Sequence, residues 1–162
     1  MGTSTDGILL WGIALEDEGL PESLLDLDEE GDEEVAIARL YGLEYDGKDD
    51  KYWEAKEKLL KEIGCELVNR CSYDCPMYVA AVSASVKRCW RGEPTAIKNL
   101  NVGEDWEPKL RAFCKKLGIK WTRPKWLLCS FWGLDLPVHR PDALLKDEEF
   151  GELAIYYLPA VG

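Results

Sequence analysis

The sequence predicts an α+β fold: a single domain, with a mostly antiparallel sheet and two main amphipathic helices packed on it. Three observations carry that expectation. The chain has 162 residues, the size of one domain that buries enough surface to fold without disulfides or metal. Two segments, 49–63 and 106–117, repeat apolar residues at helical spacing and stop at glycine. Several short apolar or alternating runs, bounded by Gly, Pro and charged residues, read as strands.

Ile8 to Leu15 is a continuous apolar run and reads as a central strand buried on both faces. Within the acidic stretch that follows, Leu20, Leu24, Leu25 and Leu27 predict that part of it docks as a short helix. Pro21 would sit in its first turn and Glu22 beside its dipole. A second short helix is expected over 33–41, with Val35, Ile37, Ala38 and Tyr41 apolar.

The first main helix is expected over 49–63. Tyr52, Leu59, Leu60 and Ile63 share a face, Asp49 or Asp50 caps the start, and Gly64 supplies the left-handed stop. A strand follows over 66–70, then a turn at 71–76. Tyr78 to Trp90 reads as one long strand that alternates from Val82. Val82, Ala84, Val86 and Trp90 fall on one face, Ser83, Ser85 and Lys87 on the other, so a half-exposed strand is expected. A sheet-edge dimer would follow from such a strand, and the oligomeric state stays open.

The second main helix is expected over 106–117, with Leu110, Phe113, Cys114 and Leu117 as its stripe, Asp105 as cap and Gly118 as stop. Further strands are expected over 126–132 and 153–158. The two helix–strand units look alike, with Trp53-Glu54-Ala55-Lys56 and Trp106-Glu107-Pro108-Lys109 opening their helices. A duplicated α-β-β unit and chance similarity both fit; chance is preferred.

Charge is unevenly spread. The net charge is −11, with 31 acids and 20 bases. Residues 1–50 hold 16 acids against two bases, residues 51–141 hold 17 bases against 10 acids, and residues 142–162 hold five acids against one base. The stretch 16–34 packs eleven acids and no base into nineteen residues. It reads as a solvated acidic loop or insertion, separable from the fold and suited to partner contact. Its candidate partner-binding residues are Glu16, Asp17, Glu18, Asp26, Asp28, Glu29, Glu30, Asp32, Glu33 and Glu34.

Several chemistries find no support. Six cysteines in a chain with no leader or membrane-span pattern read as free thiols, and Cys65, Cys114 and Cys129 sit in apolar patterns as buried thiols. Their spacing does not fit zinc, and the one histidine, His139, reads as a loop residue between prolines. The run 26–32 resembles the opening of a calcium loop but puts Glu33 and Ile37 where that loop needs an apolar residue and a bidentate Glu. No glycine-rich phosphate loop is present. The expectation is a non-enzyme with no cofactor, no metal and no membrane segment.

Lys87, Arg88, Trp90 and Arg91 mix bases with an aromatic, which suits a nucleotide ligand. The surrounding acids would repel long nucleic acids.

The strings Asn69-Arg70-Cys71-Ser72-Tyr73-Asp74-Cys75-Pro76-Met77-Tyr78-Val79-Ala80, Arg91-Gly92-Glu93-Pro94, Phe113-Cys114 and Pro124-Lys125-Trp126-Leu127-Leu128-Cys129-Ser130-Phe131-Trp132-Gly133 resemble a group of small tailed-bacteriophage accessory proteins of unassigned function. The resemblance spans roughly residues 7–15 and 49–133. It implies a phage origin and action in the cytoplasm of a bacterial host, and it brings no catalytic residue. The leading expectation is a counter-defence (anti-CRISPR-like) or host-takeover inhibitor that occludes a host protein bearing a basic surface. The second is a nucleotide-signal sponge using the basic, Trp-rich region.

Overall fold

A computed structural model describes residues 4–16, 20–27, 32–44, 50–72, 75–90 and 94–133. The elements run β1 (Ser4–Ala14), α1 (Glu22–Leu25), α2 (Glu33–Leu40), α3 (Asp50–Ile63), β2 (Cys65–Asn69), β3 (Tyr78–Val82), β4 (Lys87–Cys89), α4 (Trp106–Lys116) and β5 (Lys125–Gly133). Every strand pairing is antiparallel. The α+β expectation holds. The strand expected over 153–158, His139 and the cap candidate Asp49 lie outside the described residues.

The register places β1 at the centre. Gly12 pairs with both Ala81 and Lys125, and Gly7 with both Cys89 and Ser130. One flank of β1, from Ser4 to Gly12, is therefore β5. The other flank is β3 followed by β4, and β2 lies outside β3. Glycine at position 12 is required by this crowding. A Cβ there would run into the Ala80 carbonyl and lie 3.0 Å from the Ala81 Cα.

The expected long strand Tyr78–Trp90 is broken. A single 3-10 turn, Ser83–Ser85, separates β3 from β4. Alternation of small and polar residues looks like a strand of period two, but Ser85 turns inward and Ala84 outward, the reverse of the expected faces. The reason is a hydrogen bond. The Ser85 hydroxyl accepts the Trp11 amide hydrogen at 2.9 Å and donates to the Val82 carbonyl at 2.6 Å. It thus replaces a ladder partner that the turn removes. Nor is β3 half-exposed. All five of its residues are buried between β1 and β2, so the premise of a dimer through this strand is withdrawn.

The sheet carries two apolar clusters, one per face. Trp11, Ile13, Cys65, Leu67, Tyr78, Ala80 and Val82 meet the helices on one face. Leu24 of α1, Ala36 and Ile37 of α2, and Leu110, Phe113, Cys114 and Leu117 of α4 fill that core, with Leu60 and Ile63 of α3 packed beside it. Ile8, Leu10, Val68, Val79 and Ala81 form the cluster on the opposite face, which no described helical side chain enters. A fully buried Leu or Phe contributes roughly 1.5–3 kcal/mol by transfer from water, so the main core rests on α4 and on the two short acidic helices together.

The helix stops follow the expected chemistry: Gly64 and Gly118 have φ of 65° and 70°. The Asp105 cap does not. Asp105 stands at the cap position of α4 without a side-chain cap bond; its carboxylate pairs with Lys109 one turn on instead. The duplicated unit is not present in the architecture either. α3 is followed by the paired strands β2 and β3, whereas residues 119–124 after α4 form no strand and β5 pairs with β1. Among the described residues no helix is long and apolar enough to cross a membrane.

Candidate functional site

The acidic stretch is partly built into the fold. Leu24 is fully buried in the main core. The Ser23 hydroxyl donates to the Leu117 carbonyl at 2.7 Å, and the Arg39 guanidinium donates to the Leu27 carbonyl at 2.9 Å. These contacts fasten 20–27 to α4 and α2. The described residues of this stretch therefore do not form the separable, solvated loop that eleven acids suggest. Four of the buried side chains of the helical layer, Leu24, Val35, Ala36 and Ile37, lie in or just beyond it.

Two of the candidate acids have internal work. Asp32 caps α2, its carboxylate accepting from the amides of Glu34 at 2.9 Å and Val35 at 3.1 Å. Glu34 pairs with Lys56 at 2.9 Å, and Asp32 stands 4.0 Å from the same ammonium. Lys56 is a buried residue of α3, with its ammonium also 5.0 Å from the Trp53 ring centre. The pair joins α2 to α3. Glu33 is half-buried. Asp17, Glu18, Asp28, Glu29 and Glu30 lie outside the described residues.

What remains for a partner is narrower and better defined. Glu16, Glu22 and Asp26 are exposed and make no ion pair with another described residue. Glu16 and Glu22 stand on the wall of a half-open cleft of about 640 Å³. Ile13, Leu15, Leu20 and Ile119 give it apolar lining, and Lys120 lines it too. α1 forms one wall of this cleft. On α1, Leu24 points into the core while Leu25, 58% exposed, lies between Glu22 and Asp26 in the sequence. An exposed leucine with carboxylates near it in the chain suits an apolar anchor with a polar rim. In the sequence Leu25 is grouped with the leucines expected to dock the segment, and the cleft has no sequence signal of its own. The available signal was four leucines in eight residues, more than one face of a one-turn helix can bury.

The basic, Trp-rich region does not converge. On β4, Lys87 pairs with Leu9 and Arg88 with Ile8. Neighbouring residues of a strand point to opposite faces, so Lys87 stands on the helix side of the sheet and Arg88 on the other. Trp90 is exposed, and Arg91 lies outside the described residues. The other tryptophans are mostly structural. Trp106 bridges Trp11 and Trp126, with ring centres 5.8 and 6.0 Å apart. Trp121 lies beneath the Arg111 guanidinium at 4.1 Å, and Arg111 also pairs with Glu107.

The buried thiols are held protonated. Burial pushes the Cys65 thiol up to about 12 and the Cys114 thiol to about 11, and raises Cys129 as well. Burial also raises the Glu66 carboxyl, against a hydrogen bond from Ser83 and the charge of Arg88. A raised thiol is a poor nucleophile. No group of three or more His, Cys, Asp or Glu residues able to hold a metal ion occurs among the described residues.

No family model, curated protein or solved structure matches the chain.

Proposed function

We propose that this chain is a phage accessory binding protein that inhibits a bacterial host protein by covering its basic surface, in counter-defence or host takeover. The observation that carries this reading is Leu25, exposed on α1 beside the cleft that Glu22 lines, with Glu22 and Asp26 near it in the chain and making no ion pair with another described residue. The carboxylates steer a basic partner into place; burial of Leu25 and of a partner side chain in the cleft then slows its release. Charge steering raises association rates by about 10 to 1000-fold at low salt. Affinity therefore sits in a small acidic and apolar patch rather than in the whole acidic stretch.

The test is capture of the partner from host extract, followed by kinetics with the purified pair. The association rate is expected to fall at least about tenfold between 50 and 500 mM salt. Leu25→Ala is expected to speed dissociation, and Glu22→Gln with Asp26→Asn to slow association. A partner whose association ignores salt and all three substitutions would sink the proposal.

A further inference from the structure

Among the described residues, seven large apolar side chains stand exposed. Leu128 is the most exposed at 79%, and Leu25 is second. They lie at different places on the fold and carry opposite surroundings. Leu128 belongs to β5 and pairs with Leu9, which pairs on its other side with Lys87. By register, Lys87, Leu9 and Leu128 form one row across three strands on the same face, about 10 Å from end to end. This is the helix-side face, beyond the part that the helices cover.

Residues 94–102 add to that surface. Thr95 donates to the Arg88 carbonyl at 3.5 Å, and the Trp126 indole donates to the Leu100 carbonyl at 2.9 Å. The segment is thus held at β4 by one end and at β5 by the other. Every residue of it is exposed, including Ile97, Lys98, Leu100 and Val102. Exposed Ile97, Lys98 and Leu100 thus belong to a segment tied to the two strands that carry Lys87 and Leu128. Exposed apolar side chains gathered in one region of a surface mark a protein-binding site.

We propose that the occupant of this surface is α1 of a second copy of the same chain. Leu25 would dock against Leu128, Ile97 and Leu100, with Glu22 and Asp26 facing Lys87 and Lys98. Charge decides the arrangement. A twofold pairing of either patch with itself would bring like charges together, lysine on lysine or carboxylate on carboxylate. Only the head-to-tail pairing brings opposite charges together, and such pairing builds rings or chains rather than closed pairs. β1 separates the two surfaces within one copy: the row at Leu9 is six residues, about 20 Å, from the cleft wall at Leu15. One chain can therefore offer both at once.

The inference rests on the reading of α1 as a docking surface and adds its regulation, because a copy seated on α1 must leave before a host partner can bind. Small patches make the association weak, seen at roughly 0.1–1 mM protein and lost in high salt.

The test is sedimentation of the full-length chain, with no partner present, alongside Leu25→Ser and Leu128→Ser. Both changes are at exposed positions and leave the core intact. The unaltered chain is expected to self-associate with concentration, and each variant alone to be monomeric. An equal mixture of the two variants keeps one intact α1 and one intact β5 surface, so it is expected to form a dimer and stop there. A monomeric unaltered chain at 1 mM would overturn the proposal, as would a mixture that stays monomeric. Neither result bears on host-partner binding, which is measured with dilute protein.

Discussion

The amide of Trp11 donates to the hydroxyl of Ser85 at 2.9 Å, across seventy-four residues of sequence. Both groups are buried. The bond lets β1 keep its pairing where the neighbouring strand folds into a 3-10 turn, and it holds β4 against the far half of β1.

Ser85→Ala should therefore cost more than the loss of one ordinary hydrogen bond. It leaves the Trp11 amide buried without an acceptor, which costs about 1–3 kcal/mol. Ser85→Thr keeps the hydroxyl but crowds the site. Denaturant melts should place Ser85→Ala below the unaltered chain by that amount; an unchanged midpoint would show that water or a shifted turn replaces the hydroxyl.

Leu24 and Leu25 give the second prediction, because adjacent leucines face opposite environments. Leu24→Ala removes a fully buried side chain from the main core and should cost about 2–5 kcal/mol. Leu25→Ala removes an exposed one and should change stability by less than about 0.5 kcal/mol. Equal effects in thermal or urea unfolding would mean that α1 is not seated as described.

How much of this was legible in the sequence depends on which period the residues follow. α3 and α4 were readable because their apolar stripes repeat at helical spacing and end at Gly64 and Gly118. β1 was readable because its apolar run is continuous, as a strand packed on both faces must be. The break at Ser83–Ser85 was not readable. Ser83, Ala84 and Ser85 fit a period-two pattern, and only the tertiary bond to Trp11 shows that the chain turns. The charge reading failed differently. It counted acids in 16–34 without asking which were used internally, so Asp32 and Glu34 were grouped with Glu16 and Asp26. For Lys87 and Arg88 the signal was present: two consecutive residues of an expected strand cannot share a face.

Glu66 gives a prediction in pH. Burial raises its carboxyl above the usual range, with the Ser83 hydrogen bond and the Arg88 charge acting the other way. The folded state thus binds its proton more tightly than the unfolded state. Stability from this group rises as pH falls through the window between the two pKa values, and above that window its ionised form is a net cost. Glu66→Gln should therefore melt higher than the unaltered chain at pH 7, with the difference narrowing as pH falls toward about 4.5, the range of an unperturbed Glu. A difference that stays constant from pH 7 to pH 5 would refute that cause.

The cysteines make the same core testable by chemistry. The thiolate is the species that reacts with iodoacetamide, and at pH 8 it is a minute fraction of a thiol whose pKa stands near 11 or 12. Cys65 and Cys114 meet that condition and are buried, whereas Cys71, Cys75 and Cys89 are partly exposed. Peptide mass spectrometry after native labelling at pH 8 should find Cys65 and Cys114 unmodified, and both modified in guanidinium. Leu24→Ala sharpens the comparison, because Leu24 shares the cluster with both thiols. Opening that cluster raises the population of unfolded chains, so labelling of Cys65 and Cys114 should accelerate together, by the factor that the loss of stability sets. Acceleration at one thiol alone would mean that α1 covers the core locally and does not stabilise it as a whole.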